Sequence, residues 1–262
     1  MKTLKFARIA ATTLALVAGG AHSALITSWD ITDVAGFVPS SVLPGGNLAP
    51  NPVLSNSDRS LDWGVAGTVN GQSGLDIVNM PTITTLLGVP VTTVSVTHRN
   101  WPIFAPSLSA VDIFATIVLN PTGYVPPPNV VDGGITFKVK FLETPNLASG
   151  NICPDGSIAG SNGCPDLFLI NNEGTNFSFA VDDYLYTVDF IGTGFFSLSN
   201  AACAAVGAAS GCRGFETPEN AATTANFSVE INASKIPEPG SLALLGLGLL
   251  GLGAARRRTS AK

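Results

Sequence analysis

The sequence predicts an all-β protein: an antiparallel β-sandwich, jelly-roll-like, between an N-terminal signal-peptide helix and a C-terminal hydrophobic helix. Three observations carry that prediction. Val, Ile, Thr and Phe recur in alternation with polar residues, the period of half-buried strands. The 28 Gly and 18 Pro of the 262 residues fall between such runs as turn punctuation. Helical periods are confined to the two ends, and no fixed-period repeat suggests a propeller or solenoid.

At the N-terminus, Met1–Arg8 carries Lys2, Lys5 and Arg8, and residues 9–20 are uncharged and apolar or small. Ala21-His22-Ser23 then places small residues before Ala24. A charged region, an apolar region and a small-residue cleavage site in this order define a signal peptide over residues 1–23. Export through the Sec machinery follows.

The sandwich domain is expected over residues 24–235. Ile135, Phe137, Val139 and Phe141 alternate with Thr136, Lys138 and Lys140, a strand bounded by Gly133-Gly134 and Pro145. Residues 184–190 show the same alternation, and residues 111–119 read as a strand apolar on much of both faces. Shorter strands are expected at 25–31, 61–69, 82–86, 91–97, 167–170, 177–181, 195–198 and 226–231. The turn-rich segment 37–56 reads as an ordered loop, and Tyr124–Asn129 as a polyproline-like connector. Residues 201–209 are rich enough in Ala for one or two helical turns.

Residues 24–236 hold six basic residues against 17 acidic ones, a net charge of −11. With no basic stripe, such a domain repels phosphate backbones, which excludes nucleic acid as a partner. Four cysteines in an exported chain imply two disulfides. Cys153…Cys164 and Cys203…Cys212 each enclose a short loop of small residues, so local pairing is expected. Their spacings are far from the C-x2-C of a zinc site, and no metal centre is expected.

His98 is the one histidine beyond residue 23. It sits in Thr97-His98-Arg99-Asn100, on the strand face of Val94 and Val96, which reads as a structural histidine holding a strand end. Thr97, His98 and Asn100 are the residues here that could instead form a site. No G-x-S-x-G elbow supports a catalytic triad, and no pair among the acids is singled out for glycoside hydrolysis. Asp182-Asp183, Asp30…Asp33 and Asp58…Asp62 could take calcium, but no EF-hand or repeat spacing is present, so no cofactor is expected. Trp29, Trp63 and Trp101 read as core rather than as a sugar-stacking surface.

The C-terminus reads Pro237-Glu238-Pro239, then a Leu/Gly-rich stretch, then Arg256-Arg257-Arg258. Residues 241–255 make a marginal span, ~22 Å of helix against ~30 Å of hydrocarbon. The arginines on its C-terminal side orient it with residues 24–236 outside. Pro237-Glu238-Pro239, helix and Arg cluster over residues 236–262 resemble the PEP-CTERM sorting tag of Gram-negative bacteria. That resemblance implies processing by exosortase, a membrane-embedded transpeptidase-like enzyme, and hosts that make exopolysaccharide and biofilm matrix. Beside this tag, Thr97-His98-x-Asn100 is similar to the signature of the THxN subgroup of such proteins.

Expected, then, is an exported, non-enzymatic surface or matrix protein. It is held transiently in the inner membrane and binds polysaccharide or other matrix components. The alternative is a secreted glycan hydrolase.

Overall fold

A computed structural model describes residues 24–45, 52–123, 131–146, 149–171, 176–236, 246–250 and 252. Two antiparallel sheets dominate. One runs in the order β15 (Phe196–Ser197), β16 (Arg213–Thr217), β12 (Asp166–Asn171), β11 (Val131–Leu142), β10 (Ser107–Pro121), β1 (Ser28–Phe37) and β7 (Ile83–Leu86). A short strand, β2 (Leu43–Gly45), also pairs with β10. The other sheet runs β13 (Asn176–Val181), β14 (Tyr184–Thr193), β17 (Ala221–Lys235), β8 (Val91–Asn100), β6 (Ser73–Asn79), β4 (Ser60–Trp63) and β3 (Val53–Ser55). A two-stranded ribbon of β5 (Val65–Ala66) and β9 (Ile103–Phe104) stands apart.

Alternation explains how the sheets meet. In β1, Trp29, Ile31 and Ala35 turn inward, and in β10 so do Val111, Ile113, Ile117 and Leu119. They join Leu75, Val94, Val96, Tyr186, Val188, Val229 and Ile231 of the facing sheet in one hydrophobic cluster. Each fully buried Leu, Ile or Phe contributes about 1.5–3 kcal/mol by leaving water. On the outer side of β12, Leu167 and Leu169 pack with Ala202 of α1 (Asn200–Ala205), a short helix capped by the Ser199 hydroxyl.

The strand pattern differs from expectation in instructive places. β6 and β16 fall where no strand was expected, and they contain Gly74 and Gly214. Both glycines lie inside strands because a Cβ would collide: with Arg99 and Asp62 at Gly74, and with the Phe168 carbonyl at Gly214. The expected 61–69 strand is broken by Gly64, whose φ is +82°. The expected loop 37–56 holds a 3-10 turn at Pro39–Ser41 besides β2 and β3.

Cys153 is bonded to Cys164, and Cys203 to Cys212, with Cα–Cα distances of 5.5 and 5.8 Å. The signal-peptide helix, the Tyr124–Asn129 connector, Pro237-Glu238-Pro239 and Arg256–Arg258 lie outside the described residues. Residues 246–250 are helical with Leu247, Leu249 and Leu250 exposed. Among the described residues, no helix is long and apolar enough to cross a membrane.

Candidate functional site

Two features stand out: an acidic cluster buried between the sheets and a basic groove outside them. The cluster follows from strand parity. Phe141 points into the sandwich, so Glu143, two residues on, does too. Phe168 points in, and so does Asp166. Asp166 is the cross-strand partner of Thr217 and shares its face. From the facing sheet, β8 sends His98 and Asn100 inward, both 0% exposed. Its other face carries Arg99, paired with Asp62 and Asp76, and Thr97, hydrogen-bonded to Thr224. The Thr-His-x-Asn string is therefore split: His98 and Asn100 enter the cluster and Thr97 does not. Glu219, in the turn from β16 to β17, is 4% exposed and completes the cluster.

Specific bonds hold these groups. Trp63 Nε1 donates to Glu143 Oε2 at 3.0 Å, and the Thr144 amide donates to Asp166 Oδ1 at 2.8 Å. Asn100 Nδ2 donates to the Thr217 carbonyl at 2.9 Å. Thr144 Oγ1 donates to the Cys164 carbonyl, so the Cys153–Cys164 loop is tied to the strand ends that carry Glu143 and Asp166. His98 lies parallel to Trp63 at 5.8 Å and edge-on to Phe141 at 5.0 Å, with Nε2 3.8 Å from Asp166 Oδ2.

The electrostatics are severe. Burial first and then the Glu143 charge raise Glu219 to about 7, with the Asn100 contact opposing them. Burial also lifts Glu143 to about 7, opposed by its bond from Trp63. Asp166 is raised well above the usual carboxylate range, by burial first and then by the Glu143 charge. Burial, with the Arg99 charge, lowers His98 to about 3, so its ring is neutral. Ligand oxygens of Glu143, Asp166 and Glu219 lie within 4.8 Å of one another, a spacing suited to one metal ion.

None of the three acids was singled out in the sequence. The available signal was phase: each lies at an inward position just beyond a strand's apolar run. Of the acid pairs read from the sequence, Asp30 and Asp33 point to opposite faces of β1. Asp30 accepts from Thr84 on the outer face, whereas Asp33 accepts from Thr93 inside. Asp62 is held by Arg99. Trp29 and Trp63 are fully buried, and Trp101 is half-buried.

The groove, about 640 Å³, runs along the outer side of β11 and β12 and is walled by residues 207–212. Lys138, Lys140 and Arg213 line it, and the Cys203–Cys212 bond closes its far wall. Lys140 Nζ donates to the Gly207 carbonyl, and Arg213 Nη2 to the Phe195 carbonyl.

Fold and site define an all-β sandwich protein with a buried acidic cluster and an external basic groove. Residues 235–258 match the family model of the PEP-CTERM protein-sorting motif. The chain thus carries the address of an exported, exosortase-sorted protein. Comparison with curated proteins returned no match.

Proposed function

We propose that this is a non-enzymatic protein of the cell surface or extracellular matrix that binds acidic polysaccharide in the Lys138/Lys140/Arg213 groove. Residues 1–23 take the chain through the Sec machinery, and exosortase acts at Pro237-Glu238-Pro239 while the following helix rests in the inner membrane. The observation that carries the binding assignment is the concentration of charge. Three of the six basic residues in an otherwise acidic domain line one groove. Carboxylates or sulfates on a glycan would complement them, and the surrounding negative charge selects against ligands that approach elsewhere. Glycan hydrolysis is the weaker reading, because the raised carboxylates lie between the sheets and do not line the groove.

The test pairs two assays on the exported protein. Pull-down with an acidic polysaccharide should succeed, weaken with salt, and fail for the triple variant Lys138→Ala/Lys140→Ala/Arg213→Ala. A neutral glucan should not be retained. Release of reducing sugar from either polymer would instead establish the hydrolase.

A further inference from the structure

We propose that Glu143, Asp166 and Glu219, with Asn100 Oδ1 and Thr217 Oγ1, form a calcium site that ties the two sheets together; the inference is independent of the groove and its ligand. Among the described residues, ten buried side-chain nitrogen and oxygen atoms have no hydrogen-bond partner, and eight belong to this cluster. They are Glu143 Oε1, Asp166 Oδ2, both oxygens of Glu219, Asn100 Oδ1, Thr217 Oγ1 and the two ring nitrogens of His98. So dense a set cannot be put down to scattered packing faults, since buried polar groups are ordinarily satisfied.

The pattern of made and unmade bonds is informative. Trp63 and the Thr144 amide each fix one oxygen of Glu143 and Asp166, leaving the second oxygen of each bare. One carboxylate oxygen from each of Glu143, Asp166 and Glu219 lies within 4.8 Å of the others, and Asn100, fully buried, has a carbonyl oxygen without a partner. Carboxylates crowded this closely either hold protons between them or share a cation, and buried charges are paired or bound to metal. The neighbouring guanidinium of Arg99 is engaged on the opposite face of β8 by Asp62 and Asp76. What fits is a cation from solution.

The donor chemistry selects calcium. The donors are oxygens, the preference of a hard cation, and oxygens within 4.8 Å of one another fit round an ion whose ligands stand roughly 2.3–2.6 Å away. Magnesium, at roughly 2.0–2.1 Å, demands a tighter octahedron. His98 is not among the mutually close ligand atoms, and its ring is held by Trp63 and Phe141, so it acts as a positioning residue. Asp166 and Thr217 belong to one sheet and Glu143 follows its β11, Asn100 belongs to the other, and Glu219 to the turn between them. An ion here closes that end of the sandwich.

The experiment is calcium titration of the exported protein after EDTA treatment, by calorimetry, with thermal melts alongside. Expected is one calcium per chain with Kd at or below about 10⁻³ M, the range of extracellular calcium modules. The Tm should rise with calcium, since at 100 times Kd the folded-to-unfolded ratio grows about 100-fold. Glu219→Gln and Asp166→Asn should each weaken calcium at least ten-fold. In calcium both should melt below the unsubstituted protein, and in EDTA that difference should disappear, because each amide removes a ligand of the ion. Glu219→Gln, in a turn, serves if Asp166→Asn does not fold. Absence of heat and of any Tm shift with calcium would overturn the site, as would variants that bind calcium undiminished. Zinc binding more tightly than calcium would overturn the assignment of the ion.

Discussion

Asp33 shows how one position can work against the fold that contains it. It is the inward-facing acid of β1, 3% exposed, with Oδ2 accepting from Thr93 Oγ1 at 2.6 Å and Oδ1 without a partner. Burial raises its pKa above the ordinary value, and the Thr93 bond only partly offsets this. A raised folded-state pKa means that the folded chain holds the proton more tightly than the unfolded one. Stability therefore falls as pH climbs from the unfolded pKa through the folded one, and the penalty is absent below both. Asp33→Asn should raise Tm by a few degrees at pH 8, each kcal/mol being roughly 2–4 °C in a domain of this size, and the gain should vanish by about pH 4. Melting curves across that range check it; a gain independent of pH would mean that packing, not charge, is responsible. His98 makes the contrasting case. Its neutral ring fills space between Trp63 and Phe141, so His98→Ala should open a cavity and lose about 2–4 kcal/mol in denaturant unfolding.

Strands show what the sequence could and could not reveal. The two-residue period made β10, β11 and β14 legible, because their inward residues are consistently apolar and β11 in particular turns Thr136, Lys138 and Lys140 outward. It also put His98 on the Val94/Val96 face, where it is found. β6 and β16 were illegible for one reason: in each, a glycine that looks like punctuation is required by close approach of a neighbour. The acidic cluster was hidden for another. Glu143, Asp166 and Glu219 are far apart in sequence, and only the pairing of β11, β12 and β16 brings them together. The groove depends likewise on a loop docking beside two strands, and it supplies an element-scale prediction. Opening the Cys203–Cys212 closure with a double Cys→Ser change should reduce stability by about 2–3 kcal/mol, the loop entropy of a short closure. It should also weaken acidic polysaccharide capture several-fold, because residues 207–212 wall the groove. Calcium binding at the opposite face of that sheet should be unchanged. Unaltered capture beside lowered stability would show the loop to be no part of the binding surface.

At the scale of the whole molecule, the sandwich and the sorting address occupy different parts of the chain. The sandwich ends with β17 at Lys235, and the sorting motif begins there, at residues 235–258. The address was readable because it is local: Pro237, Glu238 and Pro239, a leucine-rich stretch and three arginines each act through their order in the chain. Proline is unfavourable inside a helix, and an extended junction is what an enzyme needs in order to reach the peptide bond. Glu238 is the one charge between them, outside the apolar stretch. Glu238→Ala should therefore leave insertion intact and block processing, so that full-length chain accumulates in the inner membrane. Neutralising Arg256, Arg257 and Arg258 should act at a different step, by weakening the stop-transfer and orientation signal, so that less chain is correctly inserted. Membrane fractionation separates these two failures, and mass spectrometry of the exported protein reads the C-terminus directly. Normal processing of both variants in a host with intact exosortase would refute this division of labour. A mature C-terminus still containing residues 242–255 would show that the segment is a permanent anchor.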